Sequence, residues 1–393
     1  MNNDVVILSG MRTPIGSFQG ALASFSGPQL GSFAIKAALD SAGVTGEQID
    51  EVLMGCVLSG GLGQAPARQA SLGAGIPNSV PCTTVNKVCG SGMKTVMMAA
   101  QAIKSGDASV VVAGGMESMS QAPYALPKAR DGYRMGNGVL VDLMIHDGLW
   151  DPYKNIHMGT CGDQTSTECG FSREQLDTFA AESYRRALAA QADGKLSGEI
   201  VPVEVPQRKG DPIQVAQDEE PGKGNPSKLP DLRPAFGKEG VTTAGNASSI
   251  NDGGAAMVIA SADWAAANGK TPIGRVVAYA QHAQEPEWFT TAPASAIQKL
   301  LEKQGLSVAD IDLFEVNEAF SVVAMVVAQK VGIPMDKLNP NGGAVAIGHP
   351  IGMTGTRLVL TALHELRRRG GKYAVCSPCI GGGEATAILI EAF

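Results

Sequence analysis

Residues 86–115 read NKVCGSGMKTVMMAAQAIKSGDASVVVAGG, and residues 349–383 read HPIGMTGTRLVLTALHELRRRGGKYAVCSPCIGGG. Both stretches run in one order: a glycine-bearing turn, a helical pattern, a short apolar run and a glycine cluster. In the first, Met93, Val96, Met97, Ala100 and Ile103 recur at helical spacing, and Gly106 marks the stop. The run Val110-Val111-Val112-Ala113 that follows suits a strand covered on both faces. In the second, the helical pattern runs to Arg367-Arg368-Arg369-Gly370. It leads to Tyr373-Ala374-Val375 and then Gly381-Gly382-Gly383. A turn, helix and buried strand repeated this way predict an α/β fold of two halves related by a pseudo-repeat.

Outward from these stretches the alternation continues. Val5-Val6-Ile7-Leu8 reads as a buried strand, residues 30–42 as a helix stopped by Gly43, and residues 49–55 as another strand. Residues 121–245 differ. They hold several prolines, a clear helical segment at 173–190 and a polar stretch at 207–230 that reads as a long surface loop. The expected organisation is an N-terminal half (1–120 and 246–270), an inserted lid-like loop domain (121–245) and a C-terminal half (271–393).

Composition narrows the function. The chain has 393 residues, enough for two or three domains. Charged residues are 18%, below the usual ~25%, and there are 49 glycines, which argues for close packing rather than disorder. A net charge of -7 excludes the basic footprint of a nonspecific nucleic-acid binder. No apolar run reaches the ~20 residues of a membrane span. Met1-Asn2-Asn3-Asp4 passes straight into the first strand, so no targeting segment is expected. Seven cysteines without the spacing of a disulfide scaffold point to a reducing, cytoplasmic location, and no clustered ligand set points to a metal.

Four polar residues stand out. Cys89 precedes Gly90-Ser91-Gly92 at a helix start, where the dipole lowers a thiol pKa; the same residue also reads as a buried, inert cysteine. His349 sits in the turn before the second helix, as a base for a thiol or as a turn cap. Asn317, in Glu315-Val316-Asn317-Glu318, can hold a water or donate to an oxyanion, and Glu318 reads equally as a plain helix-start charge. Cys376-Ser377-Pro378-Cys379 resembles a redox pair. It leads into glycines rather than a helix, and its second cysteine borders a cluster whose N–H groups can bind an oxyanion.

Together, residues 86–94 (NKVCGSGMK), 112–118 (VAGGMES), 157–159 (HMG), 232–236 (LRPAF), 244–253 (AGNASSINDG), 315–320 (EVNEAF), 341–352 (NGGAVAIGHPIG) and 379–383 (CIGGG) closely resemble the thiolase family, in its acetyl-CoA acetyltransferase branch. The resemblance implies a five-layer α-β-α-β-α fold with one sheet per half and a lid over the coenzyme A site. It implies a reversible Claisen condensation of two acetyl-CoA to acetoacetyl-CoA and CoA. Cys89 would be the nucleophile, His349 its base and Cys379 the base for the carbon acid. Asn317 would hold a water, and the Cys89 and Gly381 N–H groups would form an oxyanion pocket.

Coenzyme A, a co-substrate rather than a tightly bound cofactor, would meet Leu149, His157, Met158, Ala235, Phe236, Ala244 and Ser248. Ala319 and Phe320 would line the acyl end, closed by Met158 and Phe289. Lys223 or Lys228 would face the 3′-phosphate. A potassium site near Tyr184 and Val345, and a homo-oligomer, in this branch most often a tetramer, are further implications. Three other functions compete: a degradative 3-ketoacyl-CoA thiolase of broader chain length, a non-catalytic lipid carrier, and a decarboxylating ketoacyl synthase. Cys379 argues against the last, whose members typically carry His or Asn there.

Overall fold

The computed structural model describes residues 4–393. The first half runs β1 (Val5–Arg12), α1 (Gly27–Ala42), β2 (Glu51–Gly55), α2 (Pro66–Gly73), β3 (Cys82–Val85), α3 (Ser91–Ser105) and β4 (Val110–Ser118). The inserted segment carries α4 (Met158–Glu168) and α5 (Arg173–Ala192), and the chain returns as β5 (Asn251–Ser261). The second half runs β6 (Gly274–Ala283), α6 (Ala292–Gln304), β7 (Leu313–Val316), α7 (Ser321–Val331), α8 (Thr354–Arg369), β8 (Tyr373–Ser377) and β9 (Glu384–Ala392).

Strand order is β7-β8-β9-β6-β1-β5-β4-β2-β3. In the first half β1 pairs β5 and β5 pairs β4 antiparallel, while β4, β2 and β3 run parallel. In the second half β6 pairs β9 and β9 pairs β8 antiparallel, and β8 runs parallel to β7. The two halves thus carry one topology twice. The two sheet layers meet edge to edge where β1 and β6 pair through Val6↔Arg275 and Ile7↔Gly274.

Period-two alternation explains the layers. Val5, Ile7, Val111, Ala113, Met257 and Ile259 face the same core as Ala374, Ile388 and Ile390 of the second half. That core is filled by Met93, Val96, Met97 and Ala100 of α3 and by Leu358, Val359, Ala362 and Leu366 of α8. The alternate residues, Val6, Leu8, Val110 and Val258, face α1 and α2, while Phe314, Val375 and Leu389 face α6 and α7. The sequence is α, β, α, β, α. The helices start and stop on local signals. Ser26 and Gln29 form a capping box on α1, and Gly43, Gly106 and Gly370 end α1, α3 and α8 at positive φ.

α3 and α8 touch at their N-terminal ends, where side chains would not fit. A Cβ on Gly92 would lie 2.9 Å from both the Gly352 carbonyl oxygen and the Thr356 nitrogen. One on Gly355 would lie 2.3 Å from the Met93 nitrogen. Thr356 Oγ1 donates to the Gly92 carbonyl across the contact at 2.9 Å.

The stretch 207–230 is not the free surface loop its polarity suggests. Ile213–Val215 pairs with Val203–Val205, and Asp218, Pro221 and Leu229 are buried. The reason is Arg12, wholly buried in β1, whose guanidinium donates to both oxygens of Asp218 and to Glu199. A buried cation needs fixed counter-charges, so the stretch is drawn inward.

Gly355→Ala is expected to cost about 1–3 kcal/mol in urea unfolding through overpacking and to remove most activity, because the added methyl meets backbone that cannot rotate away. Wild-type stability and activity would show that the two helices have slack.

Candidate active site

The turns that precede α3 and α8 place their polar residues on one cavity of about 220 Å³. Cys89 is held by a strained turn. Val88, a β-branched residue, has φ +45°, its N–H donates to Asn86 Oδ1, and its carbonyl accepts from the Ser91 hydroxyl. Gly381 lines the same wall from the glycine cluster after Cys379, and the Gly381 and Cys89 N–H groups both pull the Cys89 thiol pKa down. Two N–H groups directed at one thiol are an arrangement that can bind an oxyanion.

His349 faces the cavity from the opposite turn. Its N–H donates to Asn251 Oδ1 at 2.8 Å, and Asn251 Nδ2 donates onward to the Gly16 carbonyl. Its ring lies between Thr354 Oγ1, 2.6 Å from Nδ1, and Asn317 Nδ2, 3.4 Å from Nε2. Asn317 is fully buried and its Oδ1 has no partner, an orphaned acceptor aimed into a polar corner where a water or substrate group fits. Cys379 is also fully buried behind the cavity, close enough to Cys89 for that thiolate to raise it. It packs with Ala319, Phe320 and Phe289.

Burial dominates the electrostatics and reverses one expectation. The helix start was to lower the Cys89 pKa. Instead burial pushes that thiol up to about 11, against the pull of the Gly381 and Cys89 N–H groups. Cys379 is raised well above the usual range by burial and by Cys89. Burial, aided by the Arg357 charge, lowers His349 to about 3. At neutral pH the site rests as thiols and a neutral imidazole, so the thiol proton leaves as the new bond forms and not before.

Glu117 was not singled out in the sequence, yet two other segments hang on it. Fully buried, its carboxylate accepts from Val57, Leu58 and Gly352 N–H groups at 2.9–3.1 Å, which ties the turn after His349 to the cavity wall. Its only signal was a lone acid inside an apolar strand. Burial raises it to about 7.

Leu149, His157, Met158, Phe236, Ser248, Phe289, Ala319 and Phe320 line the cavity. His157 stacks on Phe236 at 4.5 Å between centroids, and Phe320 meets the edges of Phe236 and Phe289. Val88, Met119, Ala247, Ile250 and Ile351 also line it, unsignalled apart from their neighbours. Ala235 and Ala244 are exposed and do not line it. Lys223 is engaged by Ser17 and Glu219, and Lys228 is exposed. Tyr184 and Val345 pack together in a buried cluster away from the cavity. Cys376 does not pair with Cys379. It faces the α3–α8 core, whereas Cys379 faces the cavity side, and both thiols are free. Among the described residues no helix is long and apolar enough to cross a membrane, and no cluster of His, Cys, Asp and Glu could hold a metal.

Residues 5–263 match the family model of the thiolase N-terminal domain, and residues 270–392 match that of the thiolase C-terminal domain. The chain belongs to the thiolase family. It is 49% identical to an acetyl-CoA acetyltransferase of Allochromatium vinosum over the whole of both chains. It is 50% identical to one of Cupriavidus necator over 99% of each, and 51% identical to acetyl-CoA acetyltransferase 2 of Arabidopsis thaliana over 99% of this chain and 97% of that one. A crystal structure of a thiolase from Ascaris suum in complex with coenzyme A superposes with a TM-score of 0.94 at 44% identity, covering 99% of this chain and 100% of that one.

The raised thiol makes a pH prediction. Thiolate forms above the pKa, so a pKa near 11 leaves little thiolate at neutral pH. Iodoacetamide should label half-buried Cys89 before Cys379, and its rate should still climb roughly tenfold per unit at pH 9. A plateau below pH 8 would mean the pocket lowers the thiol after all.

Proposed function

We propose that this thiolase is an acetyl-CoA C-acetyltransferase, condensing two acetyl-CoA to acetoacetyl-CoA and CoA through an acetyl-cysteine, reversibly. The observation that carries the reading is one cavity with a nucleophile, a base and an oxyanion pocket on its wall, a second thiol and an amide behind it, and an aromatic end wall. Cys89 attacks the thioester carbonyl while His349 Nε2 takes its proton, and the N–H groups of Cys89 and Gly381 bind the oxygen. CoA leaves and a second acetyl-CoA enters. Having given its proton to the departing CoA, Cys379 is a thiolate that then removes a methyl proton. Stabilising the enolate oxygen is the demanding step, and His349 with a water on Asn317 supplies the donors. The carbanion attacks the carbonyl of acetyl-Cys89, the bond from that carbon to the Cys89 sulfur breaks, the sulfur takes back the His349 proton, and acetoacetyl-CoA is released.

Coenzyme A enters under the inserted segment, along Leu149, His157, Phe236 and Ser248, with Ala235 and Ala244 at the outer rim. Lys228, exposed and less engaged than Lys223, is the better partner for the 3′-phosphate. Potassium near Tyr184 and Val345 tunes the wall beside His349; the support is that Val345 N–H donates to Glu318, the neighbour of Asn317. The assembly is a homotetramer in a cytoplasmic, reducing setting. Two features support association. β3 leaves a free sheet edge, and Tyr124, Leu126, Tyr133, Met135, Val139 and Leu140 are exposed on one segment.

Phe289 and Met158 close the acyl end. A pocket loses only about 1–3 kcal/mol for a missing methylene but rejects an added one sterically. Thiolysis is therefore expected to be fast on acetoacetyl-CoA and to fall steeply by 3-ketohexanoyl-CoA. Phe289→Ala should relax the limit. Equal efficiency on 3-ketodecanoyl-CoA would replace this reading with the degradative thiolase of broader chain length.

A further inference from the structure

Thr354, the first residue of α8, is absent from every motif that marked the site. It is buried, and its hydroxyl oxygen lies 2.6 Å from His349 Nδ1. The same hydroxyl donates to the Pro350 carbonyl at 2.9 Å. A hydroxyl has one proton to give and lone pairs with which to accept. Committed to Pro350, that proton cannot also serve Nδ1, so the oxygen accepts and Nδ1 carries the ring hydrogen. The other ring nitrogen agrees. The Asn317 amide lies 3.4 Å from Nε2, with its nitrogen placed to donate to a lone pair there. Because the ring is neutral at working pH, it has one N–H, and which nitrogen holds it decides whether a base faces the cavity.

We propose that Thr354 is a positioning residue that holds His349 in its Nδ1–H tautomer, leaving Nε2 bare as the base for Cys89. The proposal rests on the reading of His349 as that base. The proton balance closes. As the Cys89 sulfur bonds to the thioester carbonyl carbon, its S–H bond breaks and the proton goes to Nε2. The imidazolium keeps Nδ1–H on Thr354. When the tetrahedral intermediate collapses, the bond to the CoA sulfur breaks and CoA takes its proton from the Cys379 thiol. The Nε2 proton stays to face the enolate oxygen and returns to Cys89 when the second intermediate collapses, which restores the starting tautomer. With the hydrogen on Nε2 instead, the Thr354 hydroxyl would have to abandon Pro350 to donate to Nδ1, and no acceptor would face the thiol. Asn251 fixes the backbone of the same histidine but makes no contact with its ring, so the tautomer falls to Thr354.

The test uses Thr354→Val, which keeps the shape and loses the hydroxyl, and Thr354→Ser, which keeps the hydroxyl. The full chain has only five histidines, so ¹⁵N labelling of imidazoles resolves His349 against a His349→Asn control. The wild type should show the one-bond N–H coupling at Nδ1 of His349. Thr354→Val should lose that preference and fall about 10–100-fold in kcat with KM little changed, the usual scale for a group that orients a functional histidine. Thr354→Ser should restore both. A merely structural role would leave the tautomer of a folded Thr354→Val protein unchanged. Coupling at Nε2 in the wild type, or a folded Thr354→Val with wild-type kcat, would overturn the proposal. A wild type with no thiolysis would instead overturn the base reading, and the tautomer measurement would still stand by itself.

Discussion

The site depends on the contact between the N-terminal ends of α3 and α8. Glycines at 92 and 355 bring two helix backbones together where a single methyl would meet peptide atoms at under 3 Å. The helices come from opposite halves of the chain, and each is entered through a turn that carries a reactive group. Bringing the helix starts together therefore brings Cys89 and His349 to one cavity. A hydrogen bond across the contact, from Thr356 to the Gly92 carbonyl, fixes the approach, and Thr95, shared between the Gly92 and Gly114 carbonyls, ties α3 to β4. Glu117 extends this by accepting three backbone N–H groups from two other segments. A catalytic constellation built this way has little freedom, and positioning within fractions of an ångström is where much of the rate resides.

The electrostatics follow from the same packing. A dry cavity raises both thiols and lowers the imidazole, so the resting site holds no buried ion pair at its reacting atoms. Charge is instead fixed behind the site. The Arg357 guanidinium donates to Glu315, and together with burial, the larger cause, it keeps the nearby His349 neutral. What the site offers is preorganised N–H donors where an oxyanion will form. In low dielectric these act more strongly than in water and need no reorganisation during the step.

The repeated stretches were legible because their periods were clean. α3 and α8 lie where the apolar spacing and the stop glycines put them, and the strand after each helix is buried on both faces. Cys89, His349 and Cys379 stood out as candidates because each lies beside glycines, where packing gives no reason for a thiol or an imidazole, and Asn317 because it follows a strand. Three features were not legible. Arg12 looked like the polar end of a strand, and nothing local says that Asp218, more than two hundred residues away, will be drawn under it. Glu117 acts by accepting from distant backbone and Thr354 by bridging the His349 ring and the Pro350 carbonyl, which leaves no periodic trace. The sign of the Cys89 shift was missed because a helix start is a local property whereas desolvation is set by every element around the cavity.

The central claim is that Cys89 carries the acyl group and Cys379 takes the proton from carbon. It is tested most directly by pairing acetyl-peptide mapping with exchange of acetyl-CoA methyl protons into deuterated water, in the wild type and in Cys379→Ser. The account predicts one acetyl group per chain on the peptide holding Cys89 in both proteins, with exchange in the wild type and none in Cys379→Ser. Acetyl on Cys379 in the wild type, or undiminished exchange in Cys379→Ser, would contradict it.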